Sequence, residues 1–344
     1  MSIRYPAPLQ AGDKIAVTAP SAPVPDELWP RLQFAIRTLE EAGYEVVLGE
    51  CLRGDGLTSA PPHHRAHELR GFLQDPDVRV VVPPWGGDLA VELLPHLELE
   101  TLDVETIPWL VGFSDTSTLM LALSCATGVA SLHSQNLLDT PYRVPPPLRS
   151  WLEVASLPTG STVSQGPSTR HRAHGFDRWE DDPTPTEYRF DTSGTWQLLH
   201  PDRGPLHASG RLMGGCIETI STLAGTAFGD LPTFAQRYAP DGLVLYLEAD
   251  HDDAAGIARH LWRMRLAGWF DHANAVLLAR TNAPEAEGGF THHDAVRSAL
   301  TDLDVPVAVD VDCGHLPPQL ALVNGARAEI TFDGAHRELT QHLR

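Results

Sequence analysis

Short apolar runs alternate with amphipathic stretches over the first half of the chain. Residues 14–19 (KIAVTA) predict a strand that stops at Pro20. Leu28, Leu32, Ala35, Ile36 and Leu39 then fall at helical spacing within 26–42, and Gly43 ends the run. Residues 44–48 predict the next strand, 63–74 a His- and Arg-rich helix, and 78–82 (VRVVV) a third strand. Gly86-Gly87 lead into a helix (LAVELLPHL), and 107–113 (IPWLVGF) give a further strand. Continuous apolar strands separated by helices predict a parallel sheet covered on both faces. The expected fold is therefore α/β, with a doubly wound domain over residues 1–160.

From 145 to 194 the periodicity fades, and 158–187 is polar and rich in Pro, Gly, Ser, Thr and His. Such a stretch suits an interdomain connection or a long surface loop, although Trp179 and Trp196 lie in or beside it. Order returns with Leu212-Met213-Gly214-Gly215 before a predicted helix (CIETISTLAG). Strands at 242–247, 275–279 and 305–309 alternate with helices at 253–266 and 292–300, and 320–323 and 328–332 read as short strands. This is a second, smaller α/β domain over 161–344.

Composition narrows the possibilities. At 344 residues with 42% hydrophobic and 20% charged positions, the chain can build a core without disulfides or metal. A net charge of −20 repels a phosphate backbone, which argues against general nucleic-acid binding but leaves room for a small basic pocket. The four cysteines form no C-x-x-C pair, so neither a zinc site nor a redox pair is expected. The N-terminus lacks an apolar signal core, and no apolar run reaches the ~20 residues that span a bilayer. A cytoplasmic protein without a membrane partner is expected. His63, His64 and His67 lack the Glu of an H-E-x-x-H pattern, and no phosphate-binding Gly-rich motif follows a strand. No metal or cofactor is expected.

The sharpest chemical feature is Gly112-Phe113-Ser114-Asp115-Thr116, between a buried-looking strand and a helix. A serine on such an elbow presents its hydroxyl at the top of the sheet, next to helix N–H groups that favour an oxyanion. Ser114 or Asp115 could equally cap the helix, and Thr116 stands where the α/β-hydrolase elbow has Gly. A nucleophilic serine needs a base and the base an orienter. His315, on the loop Asp312-Cys313-Gly314-His315-Leu316-Pro317 beyond a strand, is a candidate base or an ordinary surface histidine. Glu248 ends an apolar strand and would need a partner if buried; alternatively it belongs with Asp250, Asp252 and Asp253 at a helix start. Trp85-Gly86-Gly87 let backbone approach a ligand, or simply make a turn.

In this order, TAPSAP, WGG, GFSDTS, LMGG, LYLEA and CGH resemble the LD-carboxypeptidase family of serine peptidases over most of the chain. The resemblance implies Ser114 as nucleophile, His315 as general base and Glu248 as its partner. It implies the backbone N–H groups of Gly87 and Asp115 as oxyanion hole, a homodimer and no metal. Gly214-Gly215-Cys216-Ile217-Glu218 and the tryptophan-bearing loop are similar to the microcin C immunity branch, where loop aromatics stack on the nucleotide of an aminoacyl-adenylate mimic. Trp179 and Trp196, with Trp85 and Gly86, are then the expected substrate-binding residues, and a small peptide or aminoacyl nucleotide the substrate. A murein tetrapeptide carboxypeptidase and an inactive ligand-binding module are the rivals. Ala249 departs from the family, which commonly has an acid after the Glu, and Val323-Asn324-Gly325 replaces a Pro-containing turn. A free imidazole base would lose activity as pH falls through about 6.5.

Overall fold

The apolar runs of the first half become strands of a six-stranded sheet in a computed structural model that describes residues 1–54 and 56–344. Its order is Leu322–Asn324, Ser131–His133, Trp109–Gly112, Val78–Val82, Lys14–Val17, Glu45–Leu48. All run parallel except Leu322–Asn324, which comes from far along the chain and pairs antiparallel with Ser131–His133. Ile15, Ala16, Val17, Val80, Val81 and Val82 are fully buried, as strands covered on both faces must be. Growth of the sheet reverses at Lys14–Val17, whose neighbours on either side both follow it in the chain. Open α/β sheets place ligands in the crevice at the carboxyl ends of such strands.

The second sheet has eight strands in the order Thr162–Gln165, His336–His342, Arg327–Asp333, Leu206–Cys216, Leu243–Glu248, Ala273–Ala279, Val307–Val311, Gln197–Leu198. Leu206–Cys216 through Val307–Val311 are parallel, and antiparallel strands flank them. Helix Thr116–Thr127, buried from Thr116 to Ser124, packs on the second sheet: Ser117 Oγ accepts the Cys216 N–H at 3.1 Å. Buried Asn324 ties the sheets together, accepting from Gly214 N and Tyr246 Oη and donating to Ser131 Oγ at 3.1, 2.9 and 3.2 Å. Among the described residues no helix is long and apolar enough to cross a membrane.

Three local expectations change. The helix after Gly86-Gly87 is a 3-10 turn, Ala90–Leu93, then a four-residue helix, Leu94–Leu97; Pro95 offers no N–H to continue one helix through. Likewise CIETISTLAG forms only the helix Ile217–Ile220 and a 3-10 turn at Ser221–Leu223. The polar 158–187 stretch contains the strand Thr162–Gln165, and its Arg170–His171 pairs with Thr192–Ser193.

Candidate active site

Ser114 sits between strand Trp109–Gly112 and helix Thr116–Thr127 with φ of +61°. A non-glycine residue there is uncommon, and such strain concentrates at functional sites. Neither Ser114 nor Asp115 caps the helix through its side chain. The Asp115 carboxylate accepts from Ser21 Oγ at 2.5 Å and from the Ala90 N–H at 2.7 Å. Burial pushes its carboxyl above the usual range despite those bonds. Gly86 packs so tightly on the serine that a Cβ there would lie 2.7 Å from Ser114 Oγ. Among the described residues, the backbone N–H groups of Gly87 and Asp115 donate to no protein acceptor.

Glu248 ends strand Leu243–Glu248, is 2% exposed, and its Oε2 lies 2.8 Å from His315 Nδ1. Burial disfavours the charge on Glu248, yet the adjacent His315 and His133 hold its carboxyl well below the usual carboxylate range. Burial also works against the His315 imidazolium, but Glu248, then Asp250 and Glu218, outweigh it and push the ring up to about 9. That value revises the ordinary imidazole expected from sequence. His315 Nε2 is 3.5 Å from Asp250 Oδ2, and no hydrogen bond joins the ring to Ser114 Oγ. Gly314 has φ of +81°, and a Cβ there would overlap the Glu248 carboxylate. The loop is anchored by buried Asp312, which pairs with Arg280 and accepts from Ser168 N at 2.8 Å.

Ser114 and His315 line one cleft of about 520 Å³, together with Trp85, Gly86, Gly87 and Trp179. Its wall is aromatic: Trp85, Phe113, Phe176, Trp179 and Tyr188. Buried Arg31 explains how the polar loop is held there. Its guanidinium lies 4.9 Å from the Tyr142 ring and 5.0 Å from the Trp179 ring, and donates to the carbonyls of Pro183 and Pro185 at 2.9 Å. Trp179 Nε1 donates to Tyr142 Oη at 3.0 Å.

Trp196 is not in the cleft. It is fully buried, packs near Phe332, and donates from Nε1 to Asp312 Oδ2 at 2.7 Å. Its expected contact with substrate is corrected to a supporting role beneath the His315 loop. Two polar groups escaped the sequence reading. Asp250 reads as part of a helix start, although it stands two residues beyond Glu248. His133 is fully buried with both ring nitrogens unpartnered, Nε2 lying 3.9 Å from the unpartnered Glu248 Oε1; nothing in its local sequence marks it.

The profile described as LD-carboxypeptidase N-terminal domain matches residues 15–134, and that of the LD-carboxypeptidase C-terminal domain matches 209–330. The Microcin C7 self-immunity protein MccF of Escherichia coli is 23% identical, over 97% of this chain and 95% of its own length. The murein tetrapeptide carboxypeptidase of Pseudomonas aeruginosa is 23% identical, over 88% of each chain. The solved structure of MccF in complex with aspartyl sulfamoyl adenosine superposes with a TM-score of 0.82 at 21% identity, covering 98% of both chains.

Proposed function

The chain belongs to the LD-carboxypeptidase family and is a serine carboxypeptidase-type hydrolase, and on that premise we propose that it detoxifies microcin C-like aminoacyl or peptidyl nucleotides. Ser114 Oγ attacks the carbonyl carbon while His315 Nε2 takes its proton. Glu248 accepts from Nδ1–H, fixes the tautomer and stabilises the imidazolium. The N–H groups of Gly87 and Asp115 receive the oxyanion. As the C–N bond breaks, His315 returns the proton to the leaving nitrogen, and water then hydrolyses the Ser114 ester with the same base. Ser114 and His315 line one cleft, and attack requires Nε2 to turn from Asp250 to the Ser114 hydroxyl.

The observation that carries this reading is the 2.8 Å Glu248–His315 pair, buried on the carboxylate side and open to the Ser114 cleft on the other. The aromatic wall favours a nucleotide: stacking contributes ~1–3 kcal/mol per base, and Trp179 and Tyr188 are candidates for that contact. The reading also includes a nucleophile-bearing domain at 1–160, a Glu- and His-bearing domain at 161–344, and a cytoplasmic homodimer. Offering aminoacyl sulfamoyl adenosines beside murein tetrapeptide tests the substrate. Consumption of the nucleotide compounds, abolished in Ser114→Ala, is expected. Release of terminal D-alanine from the tetrapeptide alone would transfer the assignment to murein trimming, and consumption of neither would favour a binding module.

A further inference from the structure

Glu248 stands between two imidazoles. Its Oε2 is bonded to His315, while among the described residues its Oε1 has no hydrogen-bond partner and lies 3.9 Å from His133 Nε2, itself unpartnered. His133 ends strand Ser131–His133, in register with Gly112 of the strand that leads to the Ser114 elbow and, on the other side, with Leu322. The ring is fully buried, edge-on to Tyr246 at 5.1 Å and to Phe113 at 6.3 Å between centroids. Phe113 in turn packs 4.9 Å from the His315 ring. His133 itself does not line the substrate cleft.

Few charges face this ring. Strands Trp109–Gly112 and Leu322–Asn324 and helix Thr116–Thr127 carry no Asp, Glu, Lys, Arg or His. Strand Leu243–Glu248 supplies Glu248 and the Tyr246 phenol, whose hydroxyl donates to Asn324 Oδ1 at 2.9 Å. The Cys216 and Cys313 thiols near Glu248 are pushed well up by burial. His315 holds the other carboxylate oxygen and is itself under the charges of Asp250 and Glu218. An imidazole in any protonation state carries at least one N–H, and Glu248 Oε1 is the carboxylate oxygen placed to receive it. A buried donor and a buried charged acceptor held apart cost free energy that a closing movement recovers.

We propose that His133 is a positioning residue of this hydrolase: its Nε2–H closes on Glu248 Oε1 as His315 gives up its proton, keeping the carboxylate charged and its Oε2 on Nδ1. The inference rests on the reading of Ser114, His315 and Glu248 as the reacting set. While His315 is an imidazolium, the ion pair compensates the buried charge of Glu248. Once His315 is neutral and ready for the Ser114 proton, that charge would stand alone in the interior. The His133 N–H is the group placed to take over. Without it the pair holds its proton more tightly, and the neutral base forms only at higher pH.

The test follows the His315 and His133 rings by NMR through a pH titration of the free enzyme, beside steady-state kinetics on leucyl sulfamoyl adenosine. In the wild type, His133 Nε2 should carry its proton throughout. In His133→Met, which fills the space without an N–H, the His315 titration should move up from about 9 by roughly one pH unit. At neutral pH its kcat should fall about ten- to hundredfold, with KM within about twofold. His133→Gln keeps an N–H donor and should restore most of both. An unprotonated Nε2, an unmoved titration in His133→Met, or equal displacement in the Met and Gln variants overturns the inference and leaves the proposed function standing. If the Met variant does not fold, His133→Leu and the wild-type Nε2 signal decide in the same way. Turnover retained in Ser114→Ala, with the titration displaced as expected, overturns the proposed function and leaves the coupling of His133 to His315.

Discussion

The two halves of the candidate site are fixed by different physics. The half from the first sheet depends on backbone shape: Ser114 has φ of +61° and Gly86 leaves no space for a Cβ beside its hydroxyl. The half from the second sheet depends on charge, with buried Glu248 held by His315 and a second, unpartnered imidazole at 3.9 Å. A steric placement does not respond to pH, whereas an electrostatic one titrates. Changes in the first half should therefore act on the reacting geometry at all pH values, and changes in the second should act through protonation.

The largest effect expected is that of Ser114→Ala, a loss of roughly 10⁴- to 10⁶-fold in kcat. Its melting temperature should stay close to that of the wild type, because alanine keeps the Cβ and the backbone of the elbow. Single-turnover assays with a consumed substrate check this, and near-wild-type rates would remove Ser114 from the chemistry. Next comes Glu248→Gln, expected to lower kcat by about 10³- to 10⁴-fold by losing the tautomer and the imidazolium partner. The charge-based half should show its nature here. The pH profile of the Gln variant should shift to lower pH, whereas residual activity in Ser114→Ala should not shift at all. Equal profiles in the two variants would erase the contrast between the halves.

How far each half could be read from sequence follows the same division. The Ser114 elbow is local: an apolar strand, a Gly, a Ser and a buried helix are contiguous, so pattern alone exposes it. Glu248 is legible as a carboxylate at the end of an apolar strand and His315 as an imidazole on a loop beyond one, but 67 positions separate them, so only the family resemblance implies that they pair. His133 was hidden because a buried histidine facing a distant carboxylate leaves no periodic trace. Strand Leu206–Cys216 is not legible in the sequence, because Gly210, Gly214 and Gly215 lower its strand character while its pairing with two long strands is non-local. His336–His342 reads as polar (HRELTQH), and only Leu339 and Gln341 are buried in it. The loop at 158–187 lacks any periodicity, yet it forms a cleft wall because buried Arg31 gathers its carbonyls.

A subtler effect separates Asp250 from Glu248. The Asp250 carboxylate lies 3.5 Å from His315 Nε2 and helps push the ring up to about 9. Asp250→Asn removes one charge that favours the imidazolium, so the neutral base becomes available at lower pH. The acid limb of kcat/KM, which reports the free enzyme, should move down from about 9. A substrate whose acyl side chain carries no charge is the appropriate probe, since it leaves the charges around His315 unchanged. Stability should respond in the same direction. A ring raised above its unfolded value of about 6.5 adds stability in full below that pH and loses it as pH rises through the folded value. Denaturant titrations should therefore show a smaller loss between neutral pH and about 9 in Asp250→Asn than in the wild type. An unmoved limb would mean that Asp250 packs beside His315 without acting on the base.

The two tryptophans of the polar loop region offer the finest comparison. Trp179 borders the cleft on the Arg31 guanidinium, whereas Trp196 is fully buried and bonded to Asp312 at 2.7 Å. Trp179→Ala should raise KM for an adenosine-bearing substrate by about tenfold, within the range of base stacking, and leave kcat nearly intact. Trp196→Phe keeps most of the ring volume but withdraws one donor from a buried carboxylate that still pairs with Arg280 and Ser168. The cost is expected in stability, about 1–3 kcal/mol in denaturant unfolding, with KM unchanged. If Trp196→Phe raised KM while Trp179→Ala did not, ligand contact would lie on the buried side of the loop and the aromatic wall would lose its role. If both variants changed stability alone, the cleft would bind something other than a nucleobase.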